Sequence, residues 1–316
     1  MVSRDFQALS AQRAARARLL TTRYPASGEL LSFYAALASF QERMLPQAAD
    51  WERLLTFRVP LMELVRHSGP KLLQQVTGEL DEATCRKAIT DYWRRLDTTS
   101  PLSFFARVLL QPYAATTEIP LLGAGAVKKS EGADVAVFSL KRGPSPRWGE
   151  GKVDIRVNSL APIRGEGGRR PGEGAISRGS QFLHTFGDSG LGPVVEGENC
   201  CPRCGHPPQV GALRAEGEGS ALTLVCSLCL HEWPFRRGRC VACGEEADKK
   251  LAYYTASGFD HLRVQACDTC RLYLHTVDVG KDAAAIPDVD ELVALPLDVW
   301  AQEHGYQKLQ PNLAGI

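Results

Sequence analysis

Eight of the ten cysteines in this 316-residue chain form four Cys-x-x-Cys pairs within residues 201–270. The pairs read CPRC at 201–204, CSLC at 226–229, CVAC at 240–243 and CDTC at 267–270. A Cys-x-x-Cys turn lets two thiolates converge on one ion, and two such turns complete a tetrahedral site of four sulfurs. Four pairs therefore predict two metal sites.

The pairs belong to a twofold internal repeat. Each copy starts with Cys-x-x-Cys-Gly, continues through a polar stretch and an alternating apolar strand, and ends with a second pair. The spacer is 21 residues in the first copy and 23 in the second. We therefore predict the following two ligand sets: Cys201, Cys204, Cys226 and Cys229 at site one, and Cys240, Cys243, Cys267 and Cys270 at site two. An interleaved arrangement, with gaps of 35 and 37 residues, is not excluded by spacing alone.

Turn geometry and ligand chemistry refine this prediction. Gly205 and Gly244 follow the leading pairs, and glycine supplies the positive φ that such turns often need. Sites of four thiolates select soft or borderline ions, which points to zinc or iron. Two further cysteines are expected to stand apart, Cys85 in a helical core and Cys200 as a spectator beside site one. We expect His206, His231 and His275 to lie at the surface or beside the ligands.

The first 120 residues predict a helical bundle. Apolar residues recur at three- and four-residue steps in 30–44 and in 85–96, which is typical of amphipathic helices. A third helix is predicted to begin with Ser100 as N-cap and Pro101 in the first helical position. The segment 51–65 is apolar but less regular, and we expect one further helix there.

The segment 121–199 differs in composition from the rest of the chain. It is dense in Gly, Pro and Arg, and its middle carries three Gly-Glu-Gly repeats. Such a composition cannot bury enough apolar surface to offset the entropy of ordering it, so we expect a mostly disordered insertion with one weak strand candidate at 134–140. We expect the tandem four-cysteine modules to occupy 200–280. A final amphipathic helix, starting near Asp288 or Asp290, is expected within 281–316.

Charge and targeting signals limit the possible functions. Residues 200–316 carry a net charge of −4 and residues 1–199 a net charge of +5, so the cysteine-rich part is a poor phosphate-binding surface. The N-terminus does not read as a signal peptide, and no stretch has the roughly 20 apolar residues of a membrane span. We therefore expect a cytoplasmic protein with reduced thiols. The sequence contains no motif typical of an enzyme active site, so we do not expect an enzyme.

Specific segments resemble the formate dehydrogenase accessory protein (FdhE) family. They are CPRCG, LTLVCSLCLHEWPFRRGRCVACG and LRVQACDTCRLYLHTV, followed by DELVALPLDVWAQEHGYQKLQPN. TRYPASGELLSFYAALASFQ and SPLSFFARVLLQPYA resemble the helical domain of the same family. The resemblance covers about 5–115 and 200–313, whereas 121–199 replaces a helix that in the family leads into the first cysteine pair.

The resemblance implies a cytoplasmic, non-enzymatic maturation factor that binds the catalytic subunit of formate dehydrogenase. It also implies two rubredoxin-type iron ions held by the eight cysteines named above, with zinc as the alternative metal. The fold class expected is α with a small β part: an N-terminal helical bundle, two tandem rubredoxin-like or zinc-ribbon modules of four cysteines each, and a C-terminal helix. Two other functions stay open, a redox-active electron-transfer or sensing module and a zinc-ribbon nucleic-acid binder.

Overall fold

A computed structural model of the chain describes residues 2–117, 155–158, 198–217 and 219–314. Most of the tract 121–199 that we predict to be disordered lies outside the described residues, and so does the strand candidate at 134–140. Within the tract, Ile155–Asn158 forms strand β1, and residues 198 and 199 are also described.

The N-terminal part is helical, as its periodicity predicts. Its helices are α1 (Val2–Arg23), α2 (Gly28–Met44), α3 (Trp51–Leu54), α4 (Arg58–Ser68), α5 (Lys71–Val76), α6 (Glu82–Trp93) and α7 (Pro101–Thr116). The single helix expected over 51–65 is wrong: α3 and α4 are separated by a 3₁₀ turn, Leu55–Phe57. Pro60 explains the break, because its nitrogen has no proton to donate to the carbonyl of Thr56.

Helix α7 begins as predicted and contains a proline. The Ser100 side chain accepts a hydrogen bond from the Ser103 amide, and Pro101 holds the first helical position. Pro112 inside the helix cannot donate to the carbonyl of Val108. The side chain of Gln41 in α2 donates to this carbonyl instead, at 3.0 Å, so the proline is accommodated without a buried unpaired oxygen.

Both repeat units belong to one sheet. The first unit contains β2 (Pro208–Glu216), β3 (Gly219–Cys226) and β4 (Glu232–Phe235), and the second contains β5 (Leu251–Ala256), β6 (Leu262–Cys267) and β7 (Leu272–Asp278). Within each unit the strands pair antiparallel. The units are joined by parallel pairing of β2 with β7, from Val210 opposite His275 to Leu213 opposite Asp278.

Short strands and a broken helix complete the architecture. The sheet order is β1-β5-β6-β7-β2-β3-β4, and β8 (Gln307–Lys308) pairs with β7. Helix α8 (Pro287–Asp290) and helix α9 (Leu295–Glu303) are separated by a 3₁₀ turn, so the C-terminal helix starts where expected but is not continuous. Among the described residues, no helix is long and apolar enough to cross a membrane.

The apolar core runs without a break from the helices into the sheet. Its buried side chains include Tyr92 and Phe105 of the helical part, Val210 and Cys226 of the first unit, and Leu292 near the C-terminus. A second, small cluster contains Cys240, Leu251 and Cys267 of the second repeat unit. The first unit is therefore part of the main core, whereas the cysteine end of the second unit is peripheral to it.

Candidate metal centres

The first centre gathers the four thiols of the first repeat unit. The Sγ atoms of Cys201, Cys204, Cys226 and Cys229 lie within 4.8 Å of one another, and all four residues are buried. The shortest separations are 3.3 Å between Cys204 and Cys226, and 3.5 Å from Cys229 to both Cys201 and Cys204. The backbone amides of Leu228 and Cys229 point at the Cys226 sulfur, at 3.3 and 3.4 Å. These amides would stabilise a thiolate.

The second centre gathers the four thiols of the second repeat unit, again within 4.8 Å. Cys240 and Cys270 are 3.7 Å apart at sulfur, as are Cys243 and Cys267. Cys240 and Cys267 are buried, Cys270 is half-buried and Cys243 is exposed. The structure thus groups the cysteines by repeat unit, as assigned from the sequence, and not in the interleaved arrangement.

All four cysteine turns share a left-handed residue just after the second cysteine. Gly205 has φ 70° and Gly244 has φ 76°, as predicted. The closing pairs use Leu230 at φ 58° and Arg271 at φ 60°, which the sequence did not indicate. Side chains other than glycine are disfavoured in this conformation by about 1–2 kcal/mol, so the closing turns need support from their surroundings.

The donor sets fit a tetrahedral ion. A site of four thiolates with metal–sulfur bonds of about 2.3 Å has sulfurs roughly 3.8 Å apart, close to the separations at both centres. Burial raises the pKa of Cys226 well above its usual range, while hydrogen bonding to Cys204 lowers the pKa of Cys201. The thiols cannot all ionise by themselves, and a cation would replace their protons. Both clusters could therefore hold a metal ion, and zinc and iron fit the sulfur set equally.

The structure contains a third group of possible metal ligands, His261, Asp282 and Asp290. Its two carboxylates already form ion pairs with a cationic side chain of the protein, Arg16. Arg16 places Nη2 2.6 Å from Asp282 and 2.5 Å from Asp290. Burial opposes its charge, but hydrogen bonds to Asp290 and Asp282 raise the pKa of Arg16 above its usual value. This group is a buried ion-pair network rather than a metal site.

The first centre is bonded to the helical part. Arg107 of α7 donates from Nε to the carbonyl of Ser227, inside the Cys226–Cys229 turn, at 2.7 Å. It also donates to the carbonyl of Pro311 at 2.7 Å and to the Gln209 side chain. Arg107 is 3% exposed, so these bonds are shielded from water.

The histidines are more buried than a surface position would allow. The His206 ring stacks on Tyr92 with centroids 5.1 Å apart, and its Nε2 lies 3.0 Å from the Tyr92 carbonyl. Burial lowers the pKa of His206 to about 4, so the ring is neutral near pH 7. His275 lies in a buried group with Asp298, at 3.2 Å, and Glu291, at 3.8 Å. The surface alternative is thus wrong for His206 and His275, which are both buried, whereas His231 is half-buried.

The two remaining cysteines lie outside the metal centres. Cys85 is fully buried in the helical core, and burial raises its pKa to about 11. Cys200 is half-buried and is not part of either cluster of four sulfurs.

Sequence reasoning missed a buried polar network at the C-terminal segment. An amphipathic helix would expose its acidic face, but the following four carboxylates are all buried: Asp288, Asp290, Glu291 and Asp298. The Arg13 guanidinium in α1 lies 2.7 Å from Asp288, and the Tyr34 hydroxyl donates to the same carboxylate at 2.6 Å. For Asp288, partners from α1 and α2 thus replace the water that a carboxylate would otherwise need.

Comparisons with known proteins identify relatives of this arrangement. Residues 239–314 match the family model described as FdhE, C-terminal domain. A curated FdhE homologue of Aquifex aeolicus (strain VF5) is 38% identical over 145 residues, which are 44% of this chain and 50% of that protein. One from Pseudomonas putida is 39% identical over 120 residues, which are 36% of this chain and 37% of that protein. The chain thus spans half or less of the length of these relatives.

Two further matches extend over nearly the whole chain. An FdhE homologue of Edwardsiella ictaluri (strain 93-146) is 26% identical over 311 residues, which are 98% of this chain and 88% of that protein. The crystal structure of the FdhE protein from Pseudomonas aeruginosa superposes with a TM-score of 0.55 at 22% identity, covering 98% of this chain and 96% of that one. This structure shows the same fold.

Proposed function

Since the chain is a relative of the FdhE proteins in sequence and in fold, we propose that it is an accessory factor for the maturation of formate dehydrogenase and not itself an enzyme. The observation that carries the proposal is the pair of four-cysteine clusters, built into one sheet whose first unit packs on the helical part. With four protein sulfurs at each centre, no coordination position is left for a reacting water, unlike a catalytic zinc site. The centres suit a role in structure or binding.

The proposed metal ligands are the eight cysteines of the two clusters, and the proposed ions are two irons in rubredoxin-type sites, with zinc as the alternative. Sulfur ligation would let an iron ion change its charge while its ligands stay in place. Eight thiols must remain reduced to serve as ligands, which supports a reducing, cytoplasmic setting.

The proposed partner is the catalytic subunit of formate dehydrogenase. The contacts from Arg107 to Ser227 and from His206 to Tyr92 join the metal-binding part to the helices. A client could therefore contact both parts at once without first bringing them together, and such preorganisation lowers the entropic cost of binding.

We propose that the chain is divided into four segments: a helical part (1–120), a Gly/Pro/Arg-rich insertion (121–199), the four-cysteine modules (200–280) and the C-terminal segment (281–316).

Co-purification tests this function directly. The tagged protein, isolated without air from a host that also makes the catalytic subunit, is expected to retain that subunit and to carry two metal ions per chain. The variant Cys226→Ser/Cys229→Ser should lose both the first ion and the subunit. Cys200→Ser is the matched control, because it changes a neighbouring cysteine outside both clusters and should retain both.

The proposal also predicts a cellular effect. Deletion of the gene should lower formate dehydrogenase activity, and the wild-type chain should restore it. A chain that never retains the catalytic subunit, together with unchanged formate dehydrogenase activity after deletion, would rule the function out.

A further inference from the structure

The two centres differ at each of three equivalent positions. The second cysteine of the leading pair is Cys204, 8% exposed, at the first centre but the exposed Cys243 at the second. The repeat unit therefore offers one ligand sulfur to solvent in its second copy and buries the corresponding sulfur in its first copy.

The residue two positions after that cysteine also differs. At both centres its carbonyl accepts a hydrogen bond from the amide of the first cysteine, at 2.9 Å from Cys201 to His206 and at 2.8 Å from Cys240 to Glu245. The His206 side chain is buried against α6, where it stacks on Tyr92. The Glu245 side chain instead accepts from Thr269 of its own unit at 2.7 Å.

The third difference concerns the residue just after the first cysteine of the closing pair. Ser227 at the first centre is fully buried, and its carbonyl is held by Arg107 of α7. Asp268 at the second centre is exposed, and its side chain pairs with the exposed Arg271 at 2.8 Å and accepts a hydrogen bond from the Tyr306 hydroxyl at 2.7 Å. Opening the first centre would break buried bonds to the helical part, whereas opening the second would break bonds near the surface.

Packing follows the same division. All four cysteines of the first centre belong to the main apolar core, together with Trp233 and Leu228. In the leading turn of the second centre, Val241 belongs to the main core. Cys240 and Cys267 instead lie in a separate, small cluster with Leu251 and the half-buried Ala242. Local opening costs least where few apolar contacts and few buried hydrogen bonds must be given up.

From these differences we infer that the second centre is an exchangeable site, which releases or exchanges its ion through Cys243, while the first centre retains its ion as part of the folded core. The incoming species is a soft, thiol-bearing ligand or a chelator. Its donor atom takes the coordination position that the Cys243 sulfur leaves, and that sulfur takes up a proton from solvent. The inference rests on the proposed role of the eight cysteines as metal ligands.

Metal release from the full-length protein tests this inference. Protein purified without air is exposed to excess EDTA, desalted at intervals and analysed for metal per chain. One ion is expected to leave at least about tenfold faster than the other, which corresponds to local openings that differ by about 1.4 kcal/mol or more. In parallel, N-ethylmaleimide labelling mapped by mass spectrometry should modify Cys243 before any cysteine of the first centre.

Matched single variants identify which centre loses the fast ion. Cys243→Ser should remove the fast phase and leave one slowly released ion, with the far-UV circular dichroism spectrum unchanged. Cys204→Ser, at the equivalent position, should lose the slow ion and much of the fold. If Cys204→Ser fails to fold, the labelling order in the wild-type protein still decides between the centres.

Three results would overturn the inference: release of both ions in one phase, earlier labelling at the first centre, or a well-folded protein that binds no ion. None of these measurements involves formate dehydrogenase. A failure to retain the catalytic subunit would therefore count against the proposed function and leave the order of metal release to be judged by itself.

Discussion

Arg107 in helix α7 donates a 2.7 Å hydrogen bond from Nε to the carbonyl oxygen of Ser227, between two cysteines of the first centre. The two residues are 120 positions apart in the sequence and both are buried. The bond holds a cysteine turn of the sheet against the helical part. Folding of the helices and order at the first centre should therefore depend on each other.

Replacing Arg107 by Met should destabilise the protein by about 3 kcal/mol, because the buried Ser227 and the half-buried Pro311 would each lose the 2.7 Å hydrogen bond that Arg107 donates to the carbonyl. Chemical denaturation measures the loss in the free energy of unfolding. Arg86→Met is the control, since Arg86 is exposed and its ion pair with Glu52 should contribute no more than about 1 kcal/mol. Equal unfolding midpoints for Arg107→Met and the wild type would show that the bond is not needed.

The buried pair of Arg13 and Asp288 leads to a second prediction. Asp288→Ala leaves the Arg13 guanidinium buried without its carboxylate, which should cost about 3–5 kcal/mol. Glu246→Ala removes exposed ion pairs with Arg236 and Arg239 and should cost less than about 1 kcal/mol. Thermal unfolding of both variants provides the comparison. Similar losses from the two substitutions would contradict the buried network.

The grouping of the cysteines could be predicted from sequence because the relevant information is local. Each centre is formed by two short turns at the ends of one repeat unit, so the internal repeat indicated the grouping that spacing alone left open. The same is true of the N-cap at Ser100, whose partner is three residues away. The helical part and the four-cysteine modules were predictable for the same reason.

The buried acidic residues were not predictable, because their partners are distant in sequence. Asp288 pairs with Arg13, 275 positions away, so the segment 287–303 reads by itself as a helix with an acidic exposed face. The parallel pairing of β2 with β7 is likewise absent from any local pattern. Yet it is this pairing that turns two separate modules into one sheet.

Burial of Cys85 predicts a loss of stability at alkaline pH. Burial raises its pKa from 9.0 to about 11, so the unfolded chain releases this proton at lower pH than the folded one. The stability that this buried thiol contributes is complete below pH 9 and is lost as the pH rises towards 11. The loss in the free energy of unfolding amounts to about 1.3 kcal/mol by pH 10. Denaturation of the wild type and of Cys85→Ala at pH 8, 9 and 10 measures it. The difference between the two proteins should shrink by that amount, and parallel curves would contradict the prediction.

Gly244, the left-handed residue after the leading cysteine pair of the second repeat unit, leads to a prediction about metal affinity at the second centre. Gly244→Ala places a Cβ at φ 76°, which should cost about 1 kcal/mol and weaken metal binding there about fivefold. The new Cβ would meet nothing closer than Arg239 at 3.5 Å, so the cost comes from backbone strain alone. Competition with a chelator of known affinity measures it. Gly219→Ala should leave the affinity unchanged, because the new Cβ would meet only the Glu216 carbonyl oxygen, at 3.8 Å, and the residue has no positive φ.

The first centre lies in the main core and the second in a peripheral cluster. We therefore predict that removing the first centre destabilises a larger part of the fold than removing the second. Cys226→Ser/Cys229→Ser removes the first centre, whose ion should contribute roughly 10–16 kcal/mol of binding free energy to folding. Because Ser227 and His206 bond the first unit to α7 and α6, amides of both helices should lose protection against hydrogen exchange. Cys267→Ser/Cys270→Ser should open the second unit near its cysteines and leave α7 protected, since Cys240 and Cys267 pack in the small cluster and not in the main core. Hydrogen exchange followed by mass spectrometry resolves the two regions, with Cys200→Ser as the control. If α7 kept full protection without the first centre, the metal-binding part and the helices would be energetically independent despite their shared core.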